Sequence, residues 1–298
     1  MINIEEIKKI IGPENVFENE DMSRHTTFRA GGCAKYFLIP DENNIIGLIN
    51  YLKKVDAKYY IVGNGSNLLV KDTGYDGAVI YIGSKFDKCE VSGNKIRALA
   101  GTKLSKIASI AYKEGLTGLE FASGIPGSLG GAVTMNAGAY GGEMSQVLES
   151  VKVIDENGNI LNLNNSELKL GYRHSIVMEK QYIVLEAVMK LNLGDKEEIK
   201  AKMDDFAGRR KDKQPLEYPS AGSTFKRPEG YYAGKLIMDA GLKGKMIGGA
   251  QVSEKHCGFI VNKDNASATD ILELMEYVSD KVFEKYNIRL DPEVKILG

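Results

Sequence analysis

Six consecutive residues, Gly63-Asn64-Gly65-Ser66-Asn67-Leu68, are the first place where this sequence has the means to hold a ligand. Closely spaced glycines let a backbone approach another molecule, and successive N–H groups can face an anion. The run begins like the dinucleotide fingerprint G-x-G-x-x-G but ends in Leu68, so the fingerprint is incomplete. Taken alone it also reads as a plain Gly/Asn turn. A longer segment demands the same kind of explanation. From Gly115 to Gly142 there are nine glycines and one charged residue, Glu120. Its centre is Ser123-Gly124-Ile125-Pro126-Gly127-Ser128-Leu129-Gly130-Gly131-Ala132-Val133. Surface loops are polar, and core strands carry little glycine. An apolar, charge-free, glycine-rich stretch suits backbone packed against a large flat ligand with a diphosphate. A tightly packed structural crossover is the alternative, and the first run tips the balance toward a ligand.

Other constellations are weaker. Ala221-Gly222-Ser223-Thr224-Phe225-Lys226 puts two hydroxyls in a short segment that by itself reads as an ST-turn. Gly171-Tyr172-Arg173-His174-Ser175 is ambiguous by itself, and His25, His174 and His256 are too scattered for a metal site. Cys33, Cys89 and Cys257 fit no zinc spacing and are expected as reduced, mostly buried thiols. Neither Gly234-Lys235 nor Gly244-Lys245 is followed by Ser or Thr, so there is no P-loop. H-E-x-x-H and G-x-S-x-G are absent, and metal hydrolysis and esterase chemistry lose their support. Between Arg209 and Lys263 eleven Lys/Arg stand against five Asp/Glu, in a chain of net charge -1. That modest, interrupted excess suits a small phosphorylated substrate better than nucleic acid.

The elements that must position these residues follow from periodicity. Tyr36–Ile39, Tyr59–Val62 and Ala78–Ile82 read as short strands, with a helix after Asp41 whose apolar face is Ile45, Leu48, Ile49 and Leu52. Further on come a strand at Ile96–Ala100, a helix with face Leu104, Ile107, Ala108 and Ala111, and a hairpin around Asn157-Gly158. Tyr182–Leu193 has a long strand pattern. Ile199, Met203 and Phe206 suggest a helix, and Ile271, Leu274, Met275, Val278 and Val282 a second one capped by Ser267 or Thr269. Val294–Ile296 reads as a terminal strand. Three lobes are expected: 1–83, 84–194 and 195–298. The N-terminus has no apolar run of a signal peptide and no window approaches a membrane span, so a soluble cytoplasmic protein is expected.

In this order and combination the segments resemble the UDP-N-acetylenolpyruvoylglucosamine reductase family. The resemblance runs from Thr26-Thr27-Phe28-Arg29-Ala30-Gly31-Gly32 to Leu290-Asp291-Pro292-Glu293-Val294 and includes Asn136-Ala137-Gly138-Ala139-Tyr140-Gly141 and Tyr172-Arg173. The two glycine segments alone would suggest only the wider flavin fold. The resemblance implies an α+β protein: a two-lobed FAD-binding fold of the vanillyl-alcohol oxidase / p-cresol methylhydroxylase type plus a C-terminal α+β substrate-binding domain. It implies non-covalent FAD in the first two lobes, NADPH as co-substrate, and a UDP-sugar substrate in the third. No nucleic-acid, membrane or obligatory protein partner is expected. The implied cofactor-binding residues are Gly63, Asn64, Gly65, Ser66, Asn67, Leu68, Ser123, Gly124, Ile125, Pro126, Gly127, Gly130, Gly131, Ala132, Asn136 and Gly138. Arg173 and Glu293 match the family pair that stabilises the enolic intermediate. Ser223 matches the serine that protonates C2, and Lys213 and Tyr172 fall at substrate-binding positions. The chain resembles the shorter form of the family, without the inserted segment whose tyrosine caps the substrate. An oxidase of the same fold and a non-catalytic flavin or nucleotide-sugar sensor are the rival readings.

Overall fold

The computed structural model describes residues 2–298. The chain forms two compact units, each assembled from separate segments. The first comprises residues up to Phe17, Phe37–Asn64 and Ala78–Arg210, and the second Glu18–Tyr36, Gly65–Gly77 and Lys211–Gly298. Segments from the first 83 residues thus serve both units, and the first unit continues past residue 194 to Arg210.

The helices of the first unit are α1 (Ile4–Ile11), α2 (Ile45–Lys54), α3 (Leu104–Lys113), α4 (Leu129–Thr134), α5 (Ile176–Glu179) and α6 (Lys196–Lys213), the last ending in the second unit. The apolar faces expected for α2 and α3 are buried: Ile45, Leu48, Ile49 and Leu52, and Leu104, Ile107, Ala108 and Ala111. Helix α2 starts four residues after Asp41, because the Asp41 carboxylate accepts from the N–H groups of Asn43 and Asn44 and makes a turn there. Strand Tyr59–Val62 pairs in parallel with Tyr75–Tyr81 at Ala78–Tyr81 and delivers the chain to Gly63. An antiparallel sheet holds, in order, Ile160–Asn164, Leu148–Ile154, Ile183–Lys190, Lys95–Leu99 and Cys89–Ser92. The Asn157-Gly158 hairpin is present. Its loop spans 155–159 and is held by the Asp155 carboxylate, which accepts from the N–H groups of Asn157 and Asn159. The long strand pattern ends at Lys190, and Asn192–Leu193 pairs separately with Leu116–Thr117.

In the second unit α7 (Ala233–Asp239) and α8 (Ala268–Tyr286) accompany a small antiparallel sheet of Met246–Ile247, Ala250–Val252 and Ile260–Asn262. Leu68–Val70 pairs in parallel with the terminal strand Lys295–Leu297. Ser267 caps α8 in a reciprocal box with Asp270, and the helix buries Ile271, Leu274, Met275, Val278 and Val282. These join Phe28, Leu69, Phe225 and Ile260 in the unit's core. The cysteines are all unpaired. Cys257 is buried and Cys89 half-buried, but Cys33 is exposed, a correction to the expectation of mostly buried thiols.

Candidate functional site

The first unit brings the two glycine segments together. Gly63 lies so close to Ser128 that a Cβ there would meet the serine Oγ. Next to it, Asn64 Nδ2 donates to the Pro126 carbonyl at 2.7 Å. Two loops that the sequence could relate only through composition are therefore one structure.

The second segment is less loop-like than its glycine content suggests, because Leu129–Thr134 is helical. Its Leu129 and Gly130 N–H groups donate to the carbonyls of Thr102 and Ala100 at 2.9 and 2.8 Å. The N–H groups of Ser123, Ile125 and Gly127 are likewise taken by Glu120, Ala122 and Ile125 carbonyls. Gly130 packs against Ala100, which engages its N–H within the protein. Asn136 has partners within the protein as well. It is buried, its Nδ2 donates to the Gly171 carbonyl at 3.1 Å, and its Oδ1 accepts from Ser145 N at 2.9 Å. Both ends of the amide are engaged within the protein. Gly138 faces the carbonyl of Gly142 and the side chain of Glu143 in a short hairpin, so packing alone asks for a glycine there.

The engagement of Asn136 matters for Arg173. Gly171 and His174 exchange N–H···O bonds of 3.1 and 3.2 Å, leaving Tyr172 and Arg173 at the tip of a tight turn. Arg173 adopts φ 53°, a left-handed conformation uncommon for a side chain of this size. Its guanidinium lies 5.3 Å from the Tyr172 ring centroid, and Tyr172 is itself exposed. Asn136 fastens this turn to the end of the glycine segment. Ser175 does the same from the other side, donating to the Thr134 carbonyl while capping α5.

Arg210, on α6, is a residue that sequence reasoning missed. Its guanidinium covers Gly124 so closely that a Cβ there would collide with Nη1. Tyr140 stacks on Phe206 with centroids 4.7 Å apart, and Arg210 lies 5.7 Å from the Tyr140 ring. Burial pulls the Arg210 pKa below its usual value, with Tyr140 opposing. Its neighbour Arg209 is different, being exposed and paired with Asp205 at 2.9 Å. Nothing in the sequence of Arg209-Arg210 says which arginine turns inward. Lys213, the last residue of α6, is exposed.

In the second unit, Gly65 has φ 61° and packs directly under the His25 carbonyl. Thr27 N donates to the Gly65 carbonyl at 3.1 Å. Asn67 Nδ2 donates to the Glu293 carbonyl at 3.1 Å. Glu293, buried, donates its N–H to the Thr224 carbonyl at 2.8 Å, beside an antiparallel bridge between Phe225 and Pro292. Thr224 is itself fixed: its N–H reaches Gly258 O at 2.8 Å, and its Oγ1 accepts from Ile260 N at 2.9 Å. Ser223, next to it, is exposed. The second hydroxyl of the ST-turn segment is thus structural, and the first is exposed next to it.

The residues present fit a flavin nucleotide. In the first unit, the successive N–H groups of Gly63 and Asn64, in a bend at the end of the strand Tyr59–Val62, are of the kind that can face an anion. Thr27 Oγ1 is the one buried side-chain N or O atom without a hydrogen-bond partner among the described residues. No group of three His, Cys, Asp or Glu among those residues could hold a metal ion, and no helix is long and apolar enough to cross a membrane.

Comparison with known proteins adds to this geometry. Residues 34–164 match the FAD binding domain family, and residues 214–297 match the UDP-N-acetylenolpyruvoylglucosamine reductase C-terminal domain. The UDP-N-acetylenolpyruvoylglucosamine reductase of Caldanaerobacter subterraneus subsp. tengcongensis is 54% identical over 298 residues, spanning 100% of this chain and 98% of the relative. That of Clostridium novyi is 53% identical over 293 residues, 98% of this chain and 95% of the relative. The crystal structure of UDP-N-acetylenolpyruvylglucosamine reductase from Thermus caldophilus matches with a TM-score of 0.82 at 37% identity, covering 94% of this chain and 98% of the other. The fold is accordingly α+β, an FAD-binding fold followed by a C-terminal domain of its own family.

Proposed function

The chain belongs to the UDP-N-acetylenolpyruvoylglucosamine reductase family and is an FAD oxidoreductase, and from that premise we propose its reaction. It reduces the enolpyruvyl ether of UDP-N-acetylglucosamine to UDP-N-acetylmuramate, with NADPH as reductant, in a cytoplasmic step of peptidoglycan precursor synthesis. The lobes 1–83 and 84–194 hold the flavin and 195–298 the UDP-sugar. FAD, when bound and reduced by NADPH, would supply the hydride that adds to C3 of the enolpyruvyl double bond.

The chain's own residues do the rest. Hydride addition at C3 drives negative charge onto C2 and the carboxylate, and fixed cations there lower the barrier. Arg173, held on its tight turn, is that cation, and Glu293 acts with it on the enolic intermediate. Ser223 Oγ donates the proton that C2 requires, a role that asks for placement within hydrogen-bond reach. Lys213 contacts the UDP phosphates, and Tyr172 flanks the substrate.

The observation that carries this reading is the tie between the segments of Ser223 and Glu293, through the 2.8 Å bond from Glu293 N to Thr224 O and the isolated bridge between Phe225 and Pro292. An oxidase or a sensor of the same fold has no need for a hydroxyl and a carboxylate held in this register. The test is spectroscopic. The purified protein is yellow, NADPH bleaches it without oxygen, and the UDP-sugar enolpyruvyl ether restores the colour. Turnover of an alcohol in air without NADPH, or bleaching that the enolpyruvyl ether never reverses, overturns the proposal.

A further inference from the structure

We propose that Thr27 is a flavin-positioning residue whose hydroxyl is reserved for an oxygen of the bound flavin nucleotide. This inference rests on the reading of the Gly63–Leu68 segment as a cofactor loop. The Thr27 hydroxyl is buried and makes no hydrogen bond, alone in this among the buried side-chain N and O atoms of the described residues. The residue itself is not loosely held. Its N–H donates to the Gly65 carbonyl at 3.1 Å, and Asn262 Nδ2 donates to the carbonyl of the next residue, Phe28, at 3.0 Å. Gly65 in turn is pressed against the His25 carbonyl, which leaves the backbone on both sides of Thr27 little freedom. A hydroxyl fixed this firmly, beside the cofactor loop and without a partner, carries a desolvation penalty unless a ligand completes it. The neighbouring Thr26 shows the contrast, since its Oγ1 reaches the Ala30 carbonyl at 3.3 Å. Of two adjacent threonines, one is finished by the fold and one is left for something else.

The inference predicts opposite signs for two measurements on one variant. Thr27→Val keeps the shape and removes the hydroxyl. In the full-length chain stripped of flavin, the melting temperature should hold or rise, because an unsatisfied group has been removed. FAD titrated into the same protein, followed by quenching of flavin fluorescence, should bind about tenfold more weakly than to wild type. Thr27→Ser should retain most of the affinity. UDP titrated into the FAD-loaded variant should bind as it does to wild type, which separates the cofactor from the nucleotide substrate as the source of the partner oxygen. FAD affinity unchanged in Thr27→Val overturns the inference. So does a lower melting temperature of the flavin-free variant, which would mark the hydroxyl as structural, and so does a loss confined to UDP. A wild-type chain that takes up no FAD at all refutes the reading of the loop itself, a result distinct from these.

Discussion

Ser128 Oγ occupies the place beside Gly63 where any other residue would carry its Cβ. This contact, reinforced by Asn64 Nδ2 on the Pro126 carbonyl, is how two glycine segments distant in sequence become one continuous backbone surface. It also separates two reasons for glycine in the first segment. At Gly63 the obstacle is a serine hydroxyl, and at Gly65 it is main chain.

Gly63→Ala should therefore be mild and correctable. The new methyl pushes a buried serine off its rotamer, a cost of about 1 kcal/mol. In the double variant Gly63→Ala/Ser128→Ala the obstructing atom is gone, and the two changes should recover most of that loss, since residues in contact are not additive. Thermal unfolding at a fixed, saturating FAD concentration reads the cycle. Additive losses in the double variant would show that the Gly63–Ser128 contact does not control this position.

Gly65→Ala should be severe and resistant to correction. A left-handed φ of 61° costs an alanine roughly 1–2 kcal/mol before any contact is considered. The methyl then meets the His25 carbonyl, which no side-chain substitution removes. The same holoenzyme melts should show a larger loss than Gly63→Ala, and His25→Ala in the same chain should restore nothing. Recovery by His25→Ala would place the conflict in the imidazole instead.

Much of this framework was legible in the sequence because it depends on local pattern. The buried faces of α2, α3 and α8 and the Asn157-Gly158 hairpin follow from periodicity and turn chemistry within a few residues. The two glycine segments stood out in composition, but their contact through Gly63–Ser128 and Asn64–Pro126 was not legible. The functions of Asn136, Gly130 and Arg210 were not legible, because each is defined by a partner far along the chain: Gly171, Ala100 and Gly124. Helix α4 was hidden by its own composition, since a segment as glycine-rich as Leu129–Thr134 has poor intrinsic helix propensity. Tertiary bonds from Leu129 and Gly130 to the carbonyls before α3 hold it instead.

Asp72 links the 65–77 segment of the second unit to the start of α8, accepting from Ala268 N, Thr269 N and Thr269 Oγ1 at 2.9, 2.8 and 2.6 Å. Burial pushes its carboxyl up, but the hydrogen bonds from Thr269 and Ala268 outweigh this and hold it below the usual aspartate value. A folded-state pKa below the unfolded one stabilises above the unfolded pKa, about 3.9, and the stabilisation is lost as pH falls through the folded value. Asp72→Asn should lower stability at pH 7 by about 0.5–1 kcal/mol, the worth of a charge at a helix N-terminus. Urea unfolding from pH 7 to pH 2.5 should show the wild-type advantage shrinking toward the acid end, and added salt should shrink it at pH 7. An advantage that persists unchanged at pH 2.5 would mean that the geometry of the cap, not its charge, does the stabilising.

On the proposed chemistry, the exposed hydroxyl of Ser223 and its fixed neighbour Thr224 allow the two half-reactions to be tested separately. Reduction of the flavin by NADPH involves no proton at C2 of the enolpyruvyl group, whereas reduction of the substrate does. Ser223→Ala should leave flavin bleaching by NADPH near normal and slow reoxidation by the UDP-sugar enolpyruvyl ether by about 10²–10⁴-fold, the usual worth of a positioned general acid. Reduced enzyme should then accumulate during turnover, and Ser223→Cys should recover part of the rate because a thiol also donates. Thr224→Val is the structural control. It removes the acceptor for Ile260 N, and its effect should appear in the melting temperature and in both half-reactions together. Stopped-flow absorbance of the flavin follows each half. Equal slowing of both halves by Ser223→Ala would make the serine a turn residue like its neighbour, and an unslowed second half would assign the proton to another group.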